Sequence, residues 1–229
     1  MTIGIAAYGP GAGGAVFEAL RVAERAGLGS IGGFAVFAAI ADDGAVLCGQ
    51  TQRGGTSTLF LDGEITGAAP PDRVAAARIA AAISSGPDRP EPLGQFLAVD
   101  GAIGIVTGHR LPNQPGASGR PLNAEVLSLI GSGLSPEDAL DRVLANNPEA
   151  DAGMIAVALD GSVAARNARR VERRSDLGAA RRGDGERRAL SAPLPRDQRA
   201  APGGGAGDAG PRRRRRRADP ARRSGAGRA

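Results

Sequence analysis

A single histidine in a polar loop is the first feature of this chain that could do chemistry. His109 follows an apolar run that ends in Thr107-Gly108, and Arg110, Asn113 and Gln114 come shortly after it. An imidazole can transfer a proton near neutral pH, and the neighbouring guanidinium and amides can orient a polar ligand. The spacing indicates either a proton-transfer or ligand-contact site or an ordinary polar loop.

Hydroxyl side chains form a second cluster. Thr56-Ser57-Thr58 follows two glycines, which let a backbone approach a ligand closely. Arg53 precedes the glycines and could clamp a carboxylate through its planar guanidinium. The alternative is the threonine-rich start of a strand.

Metal or cofactor chemistry is not expected, because the chain has one His, one Cys and no spaced set of such ligands. Cys48 lies in an expected strand, where we interpret it as a small core residue and not as a nucleophile. A lone cysteine favours a reducing compartment. Since neither a signal peptide nor an apolar run of membrane-spanning length is recognisable, we predict a cytoplasmic protein with no membrane partner.

Charge and composition divide the chain near Asn167. Residues 1–168 hold 10 Arg and 17 acidic residues, a net charge of −7, whereas residues 169–229 hold 19 Arg and 7 acidic residues, a net charge of +12. The large apolar residues concentrate in the first part, which predicts a single α+β domain over residues 1–175. Residues 176–229 cannot bury enough apolar surface to offset the entropy of ordering, which predicts a disordered basic tail.

Six consecutive arginines in this tail could neutralise nucleic-acid phosphates, but no aromatic residues are interleaved to stack on bases. Nucleic acid is therefore the last-ranked partner. Abundant Arg, Gly, Ala and Pro without any Lys is also typical of a GC-rich, bacterial-type gene read out of frame. We interpret the sequence after about residues 183–193 as such a frameshift.

Apolar periodicity and turn signals predict eight strands and four helices. The strands are Thr2–Tyr8, Phe34–Ile40, Ala45–Gln50, Thr58–Ile65, Phe96–Val99, Ala102–Thr107, Met154–Leu159 and Ser162–Ala165, and the helices are Gly14–Ala26, Pro71–Ile83, Asn123–Ile130 and Pro136–Ala145. Asn123 and Ser135 are the expected helix caps. Strands in hairpins and helices in pairs favour an α+β sandwich of largely antiparallel sheets covered by helices.

Five segments, in order along the chain, resemble the isoaspartyl peptidase and plant-type L-asparaginase family of N-terminal-nucleophile hydrolases. They are GSIGGFAVFAAIADDG, GQTQRGG, IVTGHR, GLSPEDALDRVL and DAGMIAVALDGSVAARN, over about residues 29–170. The resemblance implies a four-layered αββα fold. It also implies hydrolysis of a small amide or amino-acid derivative by an N-terminal Thr or Ser whose own amine acts as the base.

By this resemblance Ser30, which follows Gly29, is a candidate catalytic nucleophile, and Thr56, which follows Gly55, is the second. Counting back from the Asp-Gly turn without a gap instead reaches Phe34, which cannot attack a carbonyl.

The resemblance also assigns substrate-binding roles. Thr107 and Gly108 would hold a substrate's amino or carboxylate group, and Thr51 would lie beside the nucleophile. Arg53 replaces a family hydroxyl and could bind a carboxylate. The full predicted substrate-binding set is Thr51, Arg53, Thr107, Gly108, His109, Arg110 and Asn113.

Three hypotheses follow for function. The first is an amide-bond hydrolase of N-terminal-nucleophile type. Its partner would be a small carboxylate or amide, and assembly into a homo-oligomer is an open alternative. The second is a non-catalytic small-molecule-binding or assembly domain of the same fold, which Phe34 favours. The third is nonspecific nucleic-acid binding through the arginine tail.

Overall fold

The computed structural model describes residues 1–27, 29–61 and 69–183, and Met1–Leu177 forms one compact unit. The strands are β1 (Thr2–Tyr8), β2 (Phe34–Ile40), β3 (Val46–Thr51), β4 (Ile79–Ser85), β5 (Ala98–Asp100), β6 (Gly104–Arg110), β7 (Ala152–Ala158) and β8 (Val163–Asn167). The helices are α1 (Ala12–Ala26), α2 (Thr56–Leu59), α3 (Asp72–Ala76), α4 (Leu122–Gly131), α5 (Pro136–Ala145) and α6 (Arg169–Glu172). The predicted disordered tail begins at residue 176. Its residues beyond Gly183 lie outside the described part, so the disorder and the frameshift predicted there stay predictions.

The strands form two four-stranded antiparallel sheets with the orders β1-β4-β2-β3 and β5-β6-β7-β8. Helix α1 packs on the outer face of the first sheet, and α4 and α5 pack on the outer face of the second. The inner faces of the two sheets meet each other. This arrangement confirms the predicted α+β sandwich with αββα layers.

Three buried apolar layers hold the sandwich together. Leu20 and Phe37 represent the layer between α1 and the first sheet, and Leu140 represents the layer under α4 and α5. Phe34 and Ile105 lie in the layer between the sheets. All seven residues of β2 are buried, because both faces of a central strand in such a sandwich are covered.

Two glycines allow the sheets to touch near one end. A Cβ added at Gly4 in β1 would lie 2.4 Å from the carbonyl oxygen of Gly108 in β6. No side chain fits there, so the two backbones approach directly. This contact places the beginning of β1 next to the end of β6.

Most of the predicted elements are confirmed with small shifts of their ends. They include β1, α1, the β2–β3, β5–β6 and β7–β8 hairpins, α4 and α5. Ser135 caps α5 as predicted, since its Oγ accepts a hydrogen bond of 3.1 Å from the backbone N–H of Asp138.

The alanine-rich helix predicted over residues 71–83 is wrong. Only Asp72–Ala76 is helical, and Ile79–Ser85 is the strand β4, paired with both β1 and β2. Alanine favours a helix over other residues by less than about 1 kcal/mol, and two strand pairings with complete burial outweigh that preference.

The predicted strand Thr58–Ile65 is also wrong in its described part. Thr58 and Leu59 belong to helix α2, and residues 62–65 lie outside the described part.

Two smaller predictions are wrong as well. Asn123 is not the cap of α4, because it is already the second helical residue and its Nδ2 donates to the Gln95 carbonyl at 2.9 Å. Cys48 is exposed and not in the core, because β3 is the edge strand of its sheet.

Adjacent glycines in the first turn of α1 allow a matched test of this packing. A Cβ at Gly13 would lie 1.7 Å from the carbonyl oxygen of Val74, whereas a Cβ at Gly14 would lie 3.6 Å from that of Ala75. Gly13→Ala should therefore lower the free energy of unfolding by about 1–3 kcal/mol, and Gly14→Ala should raise it by about 0.5–1 kcal/mol. Denaturant titrations measure both, and equal effects of the same sign would contradict the close α1–α3 contact.

Candidate functional site

Polar side chains gather at one end of the sandwich, which we call the polar end. Strand β1 begins here, β4, β6 and β8 end here, and β7 begins here. The antiparallel register places Thr2 opposite Ser85 in the first sheet. It places Gly153 opposite both His109 and Asn167 in the second. The members of the polar end are Thr2, Ser85, Arg89, His109, Arg110, Asn113, Asp151 and Asn167.

Arg89 lies at the centre of the polar end. Its Nε donates to Ser85 Oγ at 3.1 Å, and its Nη2 donates to Thr2 Oγ1 at 3.0 Å. The guanidinium carbon lies 5.6 Å from the centroid of the Phe96 ring. Gln52 fixes the backbone of Arg89 through two hydrogen bonds, of 2.6 Å to its carbonyl and 2.8 Å from its N–H. These contacts hold the cation beside two hydroxyl groups.

The charge on Arg89 is not matched by a nearby anion. Among the described residues no carboxylate lies within 4.0 Å of its guanidinium. Burial lowers the pKa of Arg89, and repulsion by Arg110 lowers it further, although attraction to Asp151 raises it. A half-buried cation with a cationic neighbour attracts an anionic ligand.

Arg110 forms the second cationic position and is itself paired. Its Nε and Nη2 donate to the carboxylate of Asp151, with an Nη2–Oδ2 distance of 3.0 Å. This pairing lowers the pKa of Asp151 and keeps the carboxylate ionised. Arg110 has a φ of 67°, the only positive φ of a non-glycine residue in the described chain. Such a conformation costs about 1–2 kcal/mol, and strain of this kind concentrates at functional sites.

His109 and Asn167 cover the backbone of β7. His109 Nε2 lies 2.9 Å from Asn167 Oδ1, and because an amide oxygen only accepts, Nε2 is the donating nitrogen. A Cβ at Gly153 would lie 2.0 Å from His109 Nε2, so the pair requires glycine there. Burial lowers the pKa of His109, which favours the neutral imidazole.

Asn113 contributes an acceptor without a donor. Its Nδ2 donates to Gln95 Oε1 at 2.8 Å, but its Oδ1 is buried and has no hydrogen-bond partner among the described residues. A buried acceptor without a donor costs about 1–3 kcal/mol.

Among the described residues, neither of the two predicted nucleophiles hydrogen-bonds to Arg89, although Ser30 lies next to Gly86, which follows Ser85. Ser30 is in an exposed turn, where its N–H donates to the Gly27 carbonyl at 2.9 Å and its carbonyl accepts from Gly86 at 3.0 Å. Thr56 is 5% exposed, and its hydroxyl donates to Glu24 Oε2 at 2.5 Å. Because Glu24 belongs to α1, Thr56 lies on the outer side of the first sheet, whereas Arg89 lies on the inner side.

Three predicted substrate-binding residues do not reach the polar end either. Thr107 is completely buried, and its hydroxyl donates across the sheets to the Ala82 carbonyl at 3.0 Å. The Arg53 side chain is 81% exposed and paired with Asp88 at 2.6 Å. Thr51 is bound to the Arg53 carbonyl and to Thr58, each at 2.8 Å. Thr107 and Arg53, two members of the predicted substrate-binding set, therefore do not meet.

The structure does bring His109, Arg110 and Asn113 to the polar end. Gly108 lies beside them and serves the contact with Gly4. Sequence reasoning missed Thr2, Ser85, Arg89, Asp151 and Asn167. The signal for Arg89 in the sequence is its position in a proline-rich loop. Its neighbours Thr2 and Ser85 are not predictable while residues 71–83 are interpreted as a helix, because the β1–β4 pairing is then missing.

No helix in the described part of the chain is both long and apolar enough to cross a bilayer. In that same part, no three His, Cys, Asp or Glu side chains gather closely enough to hold a metal ion.

One family model matches residues 2–192, and it is described as Domain of unknown function (DUF6963). The chain therefore belongs to the DUF6963 family. No curated protein and no solved structure matches it.

Proposed function

We propose that this member of the DUF6963 family is an amide-bond hydrolase of N-terminal-nucleophile type that acts on a small amino-acid-like or amide substrate at the polar end. One observation carries the proposal. The half-buried guanidinium of Arg89 touches the hydroxyls of Thr2 and Ser85 and has no carboxylate within 4.0 Å among the described residues.

Arg89 fits a ligand carboxylate. A guanidinium carries five N–H donors, and the protein uses Nε and one N–H of Nη2, so further donors remain for a ligand. A carboxylate bound there would offset the loss of water around the cation. Arg110 adds attraction, which its partner Asp151 partly cancels.

The hydroxyls beside Arg89 fit the hydrolytic part of the proposal. A cation held at a hydroxyl stabilises the negative charge that develops when the oxygen attacks a carbonyl. The αββα layers and the ordered resemblance to N-terminal-nucleophile hydrolases support the same reaction class. They do so at the level of the fold, so the residues at the site have to carry the chemistry.

A non-catalytic binding domain is the second candidate, and the position of Thr56 favours it. Of the two nucleophiles implied by the resemblance, Ser30 has no side-chain base within hydrogen-bond distance among the described residues, and Thr56 is buried against Glu24. A protein of this kind would bind the carboxylate and leave it unchanged. Nucleic-acid binding through the tail rests on the sequence alone.

Thermal unfolding with small ligands separates these candidates. We expect L-amino acids or small dicarboxylates to stabilise the protein by RT ln(1 + [L]/Kd), which is about 2.7 kcal/mol at a hundredfold excess over Kd. The corresponding uncharged alcohols are the controls and should not stabilise it. We also expect the amides of the stabilising acids to be hydrolysed with release of amine or ammonia. Stabilisation without hydrolysis would support the binding domain, and no stabilisation by any acid would contradict both.

A further inference from the structure

We infer that the protein has a second ligand site, a cavity between α4, α5 and two turns of the second sheet, which binds a small aliphatic amine in its cationic form. The two turns join β5 to β6 and β7 to β8. We call this site the hairpin-end cavity. The inference does not rest on the proposed function, because the hairpin-end cavity and the polar end share no residue.

The hairpin-end cavity lies at the opposite end of the second sheet from the polar end. Strand β7 begins at Ala152, beside the polar end, and ends at Ala158, which lines the cavity. Strand β6 runs the other way, from the residue after Ile103 at the cavity to Arg110 at the polar end. Since β7 has seven residues and a strand rises about 3.4 Å per residue, the two sites are roughly 20 Å apart. A small ligand in the cavity therefore does not reach Arg89.

The size and the walls of the cavity suit a small aliphatic molecule. Its volume is about 480 Å³, and small-molecule sites in proteins have volumes of about 300–1,000 Å³. The aliphatic side chains that line it are Ile103, Ile130, Leu134 and Ala158. None of the lining residues is aromatic, so the body of a ligand packs against aliphatic carbons and does not stack on a ring. Burial against such walls favours an alkyl chain.

Two glycines shape the wall that α4 contributes. Gly131 is the last residue of α4, and a Cβ there would lie 2.6 Å from Cδ1 of Ile103. The helix end and the β5–β6 turn can therefore approach each other only with glycine at this position. Gly133 has a φ of 99°, in the left-handed region, and turns the chain from α4 towards α5. Because the backbone fixes these positions, the cavity is formed before a ligand binds.

Asp160 is the one charged residue among those that line the cavity. Its Oδ1 accepts hydrogen bonds from the backbone N–H and the Oγ of Ser162, at 2.8 Å and 2.5 Å. These bonds lower the pKa of Asp160, so the carboxylate is ionised at neutral pH. Its Oδ2 has no hydrogen-bond or ion-pair partner among the described residues. One oxygen is therefore held in place, and the other can accept from a ligand.

The helix ends also favour a cation at the hairpin-end cavity. Helix α4 ends there, and its last turn has the negative end of the helix dipole and no basic side chain. Helix α5 begins there, but Glu137 and Asp138 in its first turn offset the positive end of its dipole. None of the lining residues is basic. The cavity therefore attracts a cation and repels an anion.

A cationic aliphatic amine meets both halves of this site. Its ammonium carries three N–H donors and can donate to Oδ2 of Asp160, while its alkyl chain packs against Ile103 and Leu134. An exposed ion pair by itself contributes little, so the affinity depends on the two contacts together. A carboxylate, the ligand expected at Arg89, is repelled by Asp160.

Three compounds of the same chain length test the ligand class. Pentylammonium is the probe, and pentanol and pentanoate are its uncharged and anionic controls. In NMR titrations of the isotope-labelled full chain, pentylammonium should cause saturable shifts of the amides of Ile103, Leu134 and Ser162. Pentanol should bind about 10-fold more weakly or less, since it lacks a hydrogen bond between charged groups. Pentanoate should leave these three amides unchanged, also where it binds at the polar end.

Three variants test the site. Asp160→Asn keeps an acceptor for Ser162 but removes the charge, and it should weaken pentylammonium binding by about 10-fold or more. Asp42→Asn removes an exposed carboxylate from the β2–β3 turn, outside the cavity, and as the matched control it should bind like the wild type. Ala102→Leu enlarges an exposed lining residue and should also weaken binding. Unfolding midpoints without ligand check that each variant folds.

The controls make the inference falsifiable. Absence of saturable shifts at the three amides of the wild type would overturn it, and so would equal affinities for pentanol and pentylammonium. Equal losses in Asp42→Asn and Asp160→Asn would show a general effect of charge and would overturn the site. Nα-acetyl-lysinamide presents the same ammonium on a peptide unit. Tighter binding of this compound than of pentylammonium would assign the cavity to a lysine side chain of a partner protein and would overturn the free amine as its ligand.

Discussion

Replacement of Phe34 by alanine is expected to lower the free energy of unfolding by about 3–5 kcal/mol. Phe34 is fully buried between the two sheets, and its ring meets Phe96 edge to face at a centroid distance of 5.0 Å. The change removes the apolar contact area and leaves a cavity that the surrounding strands cannot close. Because Phe96 also supports Arg89, the loss should be accompanied by weaker ligand stabilisation.

Denaturant titration measures this loss, and Phe34→Leu is the conservative comparison with a smaller expected effect. Leu111→Ala, at a side chain that is 37% exposed, is the control and should change stability little. A loss below about 1 kcal/mol for Phe34→Ala would contradict the packing between the sheets. Phe34→Thr should add no catalytic activity to that of the wild type. A gapless count along the sequence places the family nucleophile at this position, but the side chain is buried between the sheets.

The Arg89→Gln variant is expected to lose the stabilisation by carboxylates, which is about 2.7 kcal/mol at a hundredfold excess over Kd in the wild type. Glutamine keeps a donor for the hydroxyls but has neither the charge nor the fork of donors that binds a carboxylate. The variant should also hydrolyse amides more slowly, because the hydroxyls of Thr2 and Ser85 lose the cation beside them. Unfolding with and without ligand, together with the rate of amide hydrolysis, measures these effects.

Two other arginines make the result specific. Arg173→Gln removes an exposed guanidinium bound to Glu149 and should leave ligand stabilisation unchanged. Arg53→Gln tests the clamp predicted from the sequence, and the exposed pairing of Arg53 with Asp88 leads us to expect no loss. If Arg53→Gln lost the ligand stabilisation and Arg89→Gln retained it, the binding site would lie at the surface loop that carries Arg53, and not at Arg89.

The hairpins were predictable because their signals are local. Asp43-Gly44 and Asp160-Gly161 turns between short apolar runs specify antiparallel neighbours, and the structure has both hairpins. The helix cap at Ser135 was predictable for the same reason. Its signal consists of Ser135, Pro136 and Asp138, and the capping hydrogen bond forms within one helical turn. These elements were enough to predict the class of the fold.

The strand β4 was not predictable in the same way. Its sequence is mostly alanine, which pairs in a sheet or winds in a helix with little difference in intrinsic free energy. The choice depends on β1 and β2, which are distant in sequence and bury it from both sides. The wrong helix also implies a wrong position for Arg89, because the loop that carries Arg89 then follows a helix and not the strand β4.

The sequence by itself determined that residues 1–175 have the composition of an α+β domain, that its strands come in antiparallel hairpins, and that His109, Arg110 and Asn113 share one polar loop. Only the tertiary structure decided which polar groups meet. Thr2 and Arg89 are 87 positions apart, and the β1–β4 pairing brings their side chains to 3.0 Å. Thr107 and Arg53 are separated because one faces the closed layer between the sheets and the other faces solvent. Side chains alternate across a strand, so a shift of one residue in position or pairing changes which face of the sheet receives each group, and only the assembled sheets fix that choice.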